Sequence, residues 1–278
     1  MATIKAQAQA QAQVQAVPGA GLDFSKMPGH WVLAQMGKRV LRPGGLEITH
    51  RMLECLQITR QDDVVEFAPG LGVTARKVLA KSPATYTGLE RDETAAAMVQ
   101  GYLKGATQRC VIGRGEDTGL PGESASVLFG EALLTMQTPA SKQRIVAEAF
   151  RVLRPGGRYA IHEIALTPDT LSDATKAEIA ADLQASIRVG ARPLTQREWR
   201  DMLQEAGFEI HTSLLAPMAL LEPKRMLQDE GVRGLARIAA NLLRNPAARA
   251  RVLNMRQTFR KHARHMSAIA LVAVKPAE

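Results

Sequence analysis

Glu66 stands inside an apolar run that ends in a turn of small residues, VVEFAPGLGVTA (64–75), and Glu90 closes the next apolar run about twenty residues after Gly70. Two carboxylates framing a glycine-bearing loop can accept from hydroxyls or balance a cation, while Gly70 and Gly72 let the backbone turn tightly and approach a ligand. GLGVTA fits the G-x-G-x-x-A dinucleotide pattern, with Glu90 placed where an acid holds a ribose. A P-loop is excluded, because no Gly-Lys-Ser/Thr follows. Three further groups could move protons: Glu131, His162 and Glu163. His162 and Glu163 are neighbours in an apolar run, so as strand residues they point to opposite faces and at most one can reach a shared site. His30 and Trp31 add an imidazole and a large ring near the N-terminus. No Cys/His cluster has zinc spacing, and no metal is expected.

These groups need elements to hold them. Residues 26–58 read as two amphipathic helices, HWVLAQMGKRVL ending at RPGG and then LEITHRMLECLQI. From residue 63 onward short apolar runs alternate with helical segments: DVVEFA, TYTGLE, CVIGRG, SASVLFGEALL and GRYAIHEIAL are the strands. That alternation implies a parallel sheet covered on both faces. Thr195 and Glu198 form a capping box, and Gly207 ends that helix before a sixth strand at AGFEI. HMSAIALVAVKP supplies the last strand. The heptapeptide RVLRPGG occurs at 39–45 and again at 151–157 with unrelated flanks, and both copies read as helix stops.

Composition narrows the function classes. With 46% hydrophobic and 23% charged residues, the 278-residue chain can bury a large core. No apolar run approaches the roughly 18 residues of a membrane-spanning helix. The N-terminal Ala/Gln-rich stretch, 1–25, lacks the apolar core of a secretion signal and reads as a disordered tail. Cys55 and Cys110, far apart, are expected to be free thiols in a reducing cytoplasm. The formal charge is +9, but between Glu222 and His265 eleven Lys/Arg face three Asp/Glu, so a net +8 sits in one segment.

Taken in order, VVEFAPGLG, YTGLERD, GRGEDTGLP and RVLRPGGRYAIHE resemble the successive motifs of the class I S-adenosylmethionine-dependent methyltransferases, over residues 60–165. The resemblance implies an α/β, Rossmann-like methyltransferase fold: a mostly parallel seven-stranded sheet with helices on both faces, plus N- and C-terminal helical cover elements. It implies S-adenosyl-L-methionine as cofactor, held by the loop Ala68, Pro69, Gly70 and Gly72. Glu66 would compensate the ammonium group, and Glu90, beside Arg91, would take the ribose hydroxyls. Near the adenine, Arg114-Gly115-Glu116 stands where the family commonly has Gly-Asp-Ala, which leaves open whether Glu116 or Asp117 faces the base edge. The acceptor side would draw on Glu131, His162 and Glu163 for catalysis, with His30 and Trp31 closing over the substrate.

The expected units are N-terminal helices at 26–59, a cofactor core at 60–166, a helical cover at 167–194, a sixth-strand unit at 195–216, a basic helical lid at 217–262 and a final strand at 263–275. The expected acceptor is a small molecule, anionic or apolar. Nucleic acid is disfavoured, since GEALL replaces the Asn-Pro-Pro-Tyr type of sequence after the fourth strand and aromatics make up only 4%. The lid's arginines would steer an anionic acceptor; otherwise the segment is a rigid decoration serving stability or a homodimer. Two competing functions use the same residues: a nicotinamide-dependent oxidoreductase, and a non-catalytic cofactor-binding protein acting through its basic helices.

Overall fold

The structure, a computed structural model, describes residues 17–277. Nine α-helices among those residues are α1 (Gly29–Gln35), α2 (Gly45–Cys55), α3 (Val73–Leu79), α4 (Glu93–Gln100), α5 (Pro139–Val152), α6 (Asp173–Ile187), α7 (Gln196–Glu205), α8 (Pro223–Arg244) and α9 (Pro246–Lys261). The strands are β1 (Asp63–Phe67), β2 (Thr85–Glu90), β3 (Gln108–Ile112), β4 (Ala125–Glu131), β5 (Leu153–Leu166), β6 (Leu194–Thr195), β7 (Glu209–Pro217) and β8 (Met266–Val274).

Seven strands lie in the order β3-β2-β1-β4-β5-β8-β7, and the two-residue β6 pairs with the end of β5 as an eighth. β1 to β5 are mutually parallel, and β8 runs antiparallel to both β5 and β7. Crossovers through helices bury both faces of the sheet, which is why its strands are almost continuously apolar. On one face Phe67, Leu128, Tyr159 and Ile161 pack with Ile145 of α5 and Trp199 of α7. On the other, Val64, Tyr86, Phe129 and Val272 pack with Met52 of α2 and Val78 of α3. A third apolar cluster sits beyond the C-terminal end of β5, where Val32, Leu183 and Phe259 join Ile164 and Leu166.

Local chemistry explains most boundaries. Thr195 accepts from the Glu198 N–H while the Glu198 carboxylate accepts from the Thr195 N–H, the expected capping box at the start of α7. Asp92, Thr138 and Ser172 cap α4, α5 and α6 in the same way.

Three expectations change. The expected tail, 1–25, falls largely outside the described residues, but 17–25 folds onto α1: the Gln35 amide donates to the Val17 and Pro18 carbonyls at 3.0 and 3.3 Å. The first RVLRPGG is not a helix stop. α1 ends at Gln35, 38–43 forms an irregular strap, and Gly44 and Gly45, both at φ 69°, lead into α2. The second copy does leave a helix, passing from the last turn of α5 into β5. The sixth strand, expected at AGFEI, continues to Pro217 because β8 supplies partners along its whole length.

Residues 217–262 form two helices. α9 buries Ala248, Val252, Met255 and Phe259 in the third cluster, packing on α6 and α1. α8 is broken at Gly231 (φ 69°, ψ 174°), and just before the break its acids hold the strap: Glu230 accepts from the Arg39 and Val40 N–H groups, both at 2.9 Å, and Asp229 from the Leu46 N–H at 3.0 Å. Both cysteines are free and partly buried, and burial pushes the Cys110 thiol up to about 12.

Candidate functional site

A cavity of about 410 Å³ opens where β1, β2, β3 and β4 end. That position follows from the topology, since a parallel sheet presents the loops after its strands at one edge. The cavity is of ordinary small-molecule size, roughly 300–1,000 Å³.

β1 delivers Glu66, almost fully buried, whose carboxyl accepts from the Tyr86 hydroxyl at 2.6 Å. Burial pushes this carboxyl up to about 8, and the Tyr86 hydrogen bond only partly offsets that. Glu66 therefore presents a protonated acid at neutral pH, which a neighbouring cation would ionise. Beyond it Ala68 adopts φ 52°, a strained conformation for a residue with a Cβ, fixed by its N–H donating to the Leu89 carbonyl at 2.8 Å.

Glu90 of β2 organises the loop. Its carboxylate accepts from the Gly70 N–H at 2.9 Å, the Arg91 N–H at 2.8 Å and the Asp92 N–H at 3.0 Å. Pro69, Gly70, Glu90 and Arg91 all line the cavity. The two loop glycines separate in role. Gly70 has positive φ and open space around its Cβ direction, so it keeps the cavity wall thin. Gly72 lies off the cavity, and a Cβ there would sit 1.9 Å from the Tyr102 hydroxyl, so its lack of a side chain serves packing under α3 and not ligand approach. After β3, Gly115 and Glu116 line the cavity, whereas Asp117 is exposed and its N–H donates to the Arg114 carbonyl.

On the other side the three expected acid–base residues are spoken for. Glu131 reaches the cavity, but its oxygens accept from Thr49 Oγ1 at 2.6 Å, from the Arg42 guanidinium and Thr74 hydroxyl, and lie 2.8 Å from His162 Nδ1. Burial alone would raise its carboxyl; the Arg42 charge and the His162 bond outweigh that and hold it at about 2. His162 is fully buried, touches no cavity, and places Nε2 2.6 Å from the Pro43 carbonyl. Glu163 points the opposite way, as strand geometry requires, and accepts from the N–H groups of Leu133, Leu134 and Thr135 at 2.9, 2.7 and 2.9 Å, capping the turn after β4. Each of the three thus has both its polar atoms engaged, Glu131 and His162 with the strap and α2, and Glu163 with the turn after β4.

His30 and Trp31 do line the cavity, with ring centroids 4.4 Å apart. Burial pushes the His30 imidazole down to about 4, so it is neutral at pH 7. A second, smaller space of about 60 Å³ shares His30, Leu41, Ala132 and Met136 with the first and continues inward between α1, α6 and α9. Sequence reading missed Arg42, a nearly buried guanidinium on the cavity wall. Its signal was hidden inside a heptapeptide read as a helix stop. The lid arginines Arg233, Arg237 and Arg244 line neither space, so steering an acceptor by direct contact is not their role.

Comparison with known proteins agrees with this geometry. Residues 65–161 match the methyltransferase domain family. An uncharacterized protein of Haemophilus influenzae is 31% identical over 220 residues, 78% of this chain and 86% of that protein. The 27-O-demethylrifamycin SV methyltransferase of Amycolatopsis mediterranei is 26% identical over 58% of this chain and 59% of its own length. The phosphoethanolamine N-methyltransferase 2 of Haemonchus contortus shares the fold with a TM-score of 0.68 at 14% identity, over 89% of this chain and 57% of that one.

Proposed function

Because the chain belongs to the class I S-adenosylmethionine-dependent methyltransferases, we propose that it methylates a small-molecule acceptor, with the cofactor seated across the ends of β1 to β4. The observation carrying this reading is the pair Glu66 and Glu90, buried acids at the ends of neighbouring strands that open into one cavity. Bound there, the cofactor supplies a sulfonium methyl already electrophilic enough for displacement.

The residues fit that group. Glu66 is a buried acid with no cationic partner of its own, suited to an ammonium. Glu90 keeps about one acceptor position for a ribose hydroxyl after taking three backbone N–H groups. Gly115 lines the cavity, and a Cβ there would press on Ile145 at 3.3 Å, so the packing behind the wall also favours glycine at this position. Glu116, not Asp117, is the acid for the base edge. Arg42, on the cavity wall, is already paired with Glu131 and would add a second cationic group near the bound cofactor.

With Glu131, His162 and Glu163 all hydrogen-bonded to their neighbours, they take a positioning role, and alignment of acceptor and methyl and shielding from bulk water make up most of the protein's contribution. His30 and Trp31 form the wall on the acceptor side. The free thiols Cys55 and Cys110 suit a reducing cytoplasm.

Titration calorimetry tests this. S-adenosylmethionine and S-adenosylhomocysteine should bind saturably and NAD should not. Glu90→Ala removes a charge-assisted ribose bond of about 1.5–3 kcal/mol, so affinity should weaken by about ten- to a hundredfold, with an unchanged circular dichroism spectrum. Binding of NAD in place of S-adenosylhomocysteine would overturn the reading.

A further inference from the structure

We propose that the acceptor is an uncharged alcohol with a short aliphatic end, whose alkyl group fills the inner 60 Å³ chamber while its hydroxyl stops at the throat beside His30. This rests on the methyl-transfer reading above.

The chamber's walls set the class. Leu33 of α1, Leu183 and Ile187 of α6, Leu220, and Met255 and Phe259 of α9 supply its apolar lining. No lysine or arginine lines it, so an anion would shed its hydration against hydrocarbon with nothing to offset the loss. Glu163, the one carboxylate among the described wall residues, already takes three backbone N–H groups of the turn after β4, which leaves about one acceptor position to offset a buried cation. Size sets the rest. An engineered apolar cavity of about 150 Å³ takes one benzene; at about 60 Å³ this chamber takes a branched three- or four-carbon end and not a ring.

The throat sets the reacting atom. His30, Leu41, Ala132 and Met136 line both spaces, so a group at their level faces the cofactor cavity while its tail points inward. The His30 imidazole has no hydrogen-bond partner among the described residues, and in its neutral form it can accept one from a hydroxyl. In the transfer, an oxygen lone pair forms the O–CH₃ bond as the C–S bond breaks. The breaking pair stays on sulfur, and the hydroxyl proton passes to the His30 imidazole and then to water. The resulting ether is neutral and compatible with the lining, whereas a methylated amine would leave a cation there.

The test uses full-length protein saturated with S-adenosylhomocysteine and labelled with ¹³C at methionine methyls, and it follows the Met255 signal. Three probes of one shape are titrated: 3-methylbutanol, 3-methylbutanoate and 3-methylbutylammonium. The expected result is a saturable Met255 shift with the alcohol, at least tenfold tighter than with either ion. Leu183→Phe and, separately, Leu220→Phe fill the chamber; each should abolish the alcohol's effect and leave S-adenosylhomocysteine affinity within twofold, which also shows that the variant is folded. Equal binding of an ion, or unchanged alcohol binding in both filled variants, overturns the inference and leaves the cofactor reading standing. Failure of wild-type protein to bind S-adenosylhomocysteine overturns both.

Discussion

The two sides of the cavity are built from different materials. The cofactor side consists of strand ends, turn backbone and acids whose partners lie within about 25 residues: Glu66 with Tyr86, and Glu90 with Gly70, Arg91 and Asp92. The acceptor side is assembled from segments far apart in the chain: the strap at 38–43, the turn after β4, α6 and α9. Its polar groups work across long separations, Arg42 to Glu131, Pro43 to His162 and Glu230 back to Arg39. A side made of local motifs is fixed by nearby sequence alone. A side made of distant helices can be rebuilt for a new acceptor without disturbing the first.

The largest effect that would sharpen this contrast is Glu131→Gln. It leaves Arg42 without its anion in a buried setting, at a cost of about 3–5 kcal/mol, seen as a lower midpoint in chemical denaturation. Because the Glu131 carboxyl is held down near 2, its contribution is present above the ordinary carboxylate range and fades as pH falls toward 2; the wild-type and Gln curves should converge there.

The two glycines come next. Gly72→Ala combines the left-handed penalty of about 1–2 kcal/mol with overpacking against Tyr102, typically about 1–3 kcal/mol, and should depress thermal stability. Gly70→Val meets open space and should depress cofactor affinity more than stability. If both variants lost the same property, the division of labour between the glycines would be wrong.

A smaller effect is protonic. With the Glu66 carboxyl pushed up to about 8, stability falls as pH rises from the ordinary carboxylate range through about 8. A cofactor ammonium beside it pulls the value down. Binding at pH 7 should therefore release close to one proton per site, measured by calorimetry in buffers of different ionisation enthalpy, and Glu66→Gln should release none.

The smallest expected effect belongs to the basic helices. Neutralising Arg233, Arg237 and Arg244 together should change kcat/KM less than twofold, since none lines the cavity. A tenfold loss would return the anionic-steering idea. Whether 217–262 moves as a cover is a separate matter; hydrogen exchange would reveal it as protection gained by this stretch on binding cofactor and acceptor.

The sheet, its helices and the placing of Glu66 and Glu90 at strand ends beside one cavity were legible in the sequence because each is written locally, as an apolar run, a capping box or a glycine turn. The long β7 was less so, since its extension depends on β8 some fifty residues later. His162 and Glu163 were correctly set on opposite faces, but nothing local shows that a distant carbonyl and three turn N–H groups consume them. Arg42 went unread for the same reason: its partners, Thr74 and Glu131, lie 32 and 89 residues away.

The twin heptapeptide carries this into the order of synthesis. RVLRPGG at 151–157 emerges with α5, β1 and β4 already behind it, so Leu153 can pair with Ala125 and Arg154 can meet Asp63 at once, although Gly156 and Gly157 bond Lys275 only at the end of synthesis. The copy at 39–45 emerges early with no destination. The strand-five residue that receives its Pro43 carbonyl is 119 positions away, and Glu230, which accepts from its Arg39 and Val40 N–H groups, is about 190 positions away. On a ribosome adding roughly 5–20 residues per second, the first copy waits many seconds for its strand-five and Glu230 anchors, whereas the second meets its first partners, Ala125 and Asp63, as it emerges. The wall of the acceptor side is thus the last part of the cavity to be made, and a nascent chain can hold a finished cofactor half before any acceptor site exists.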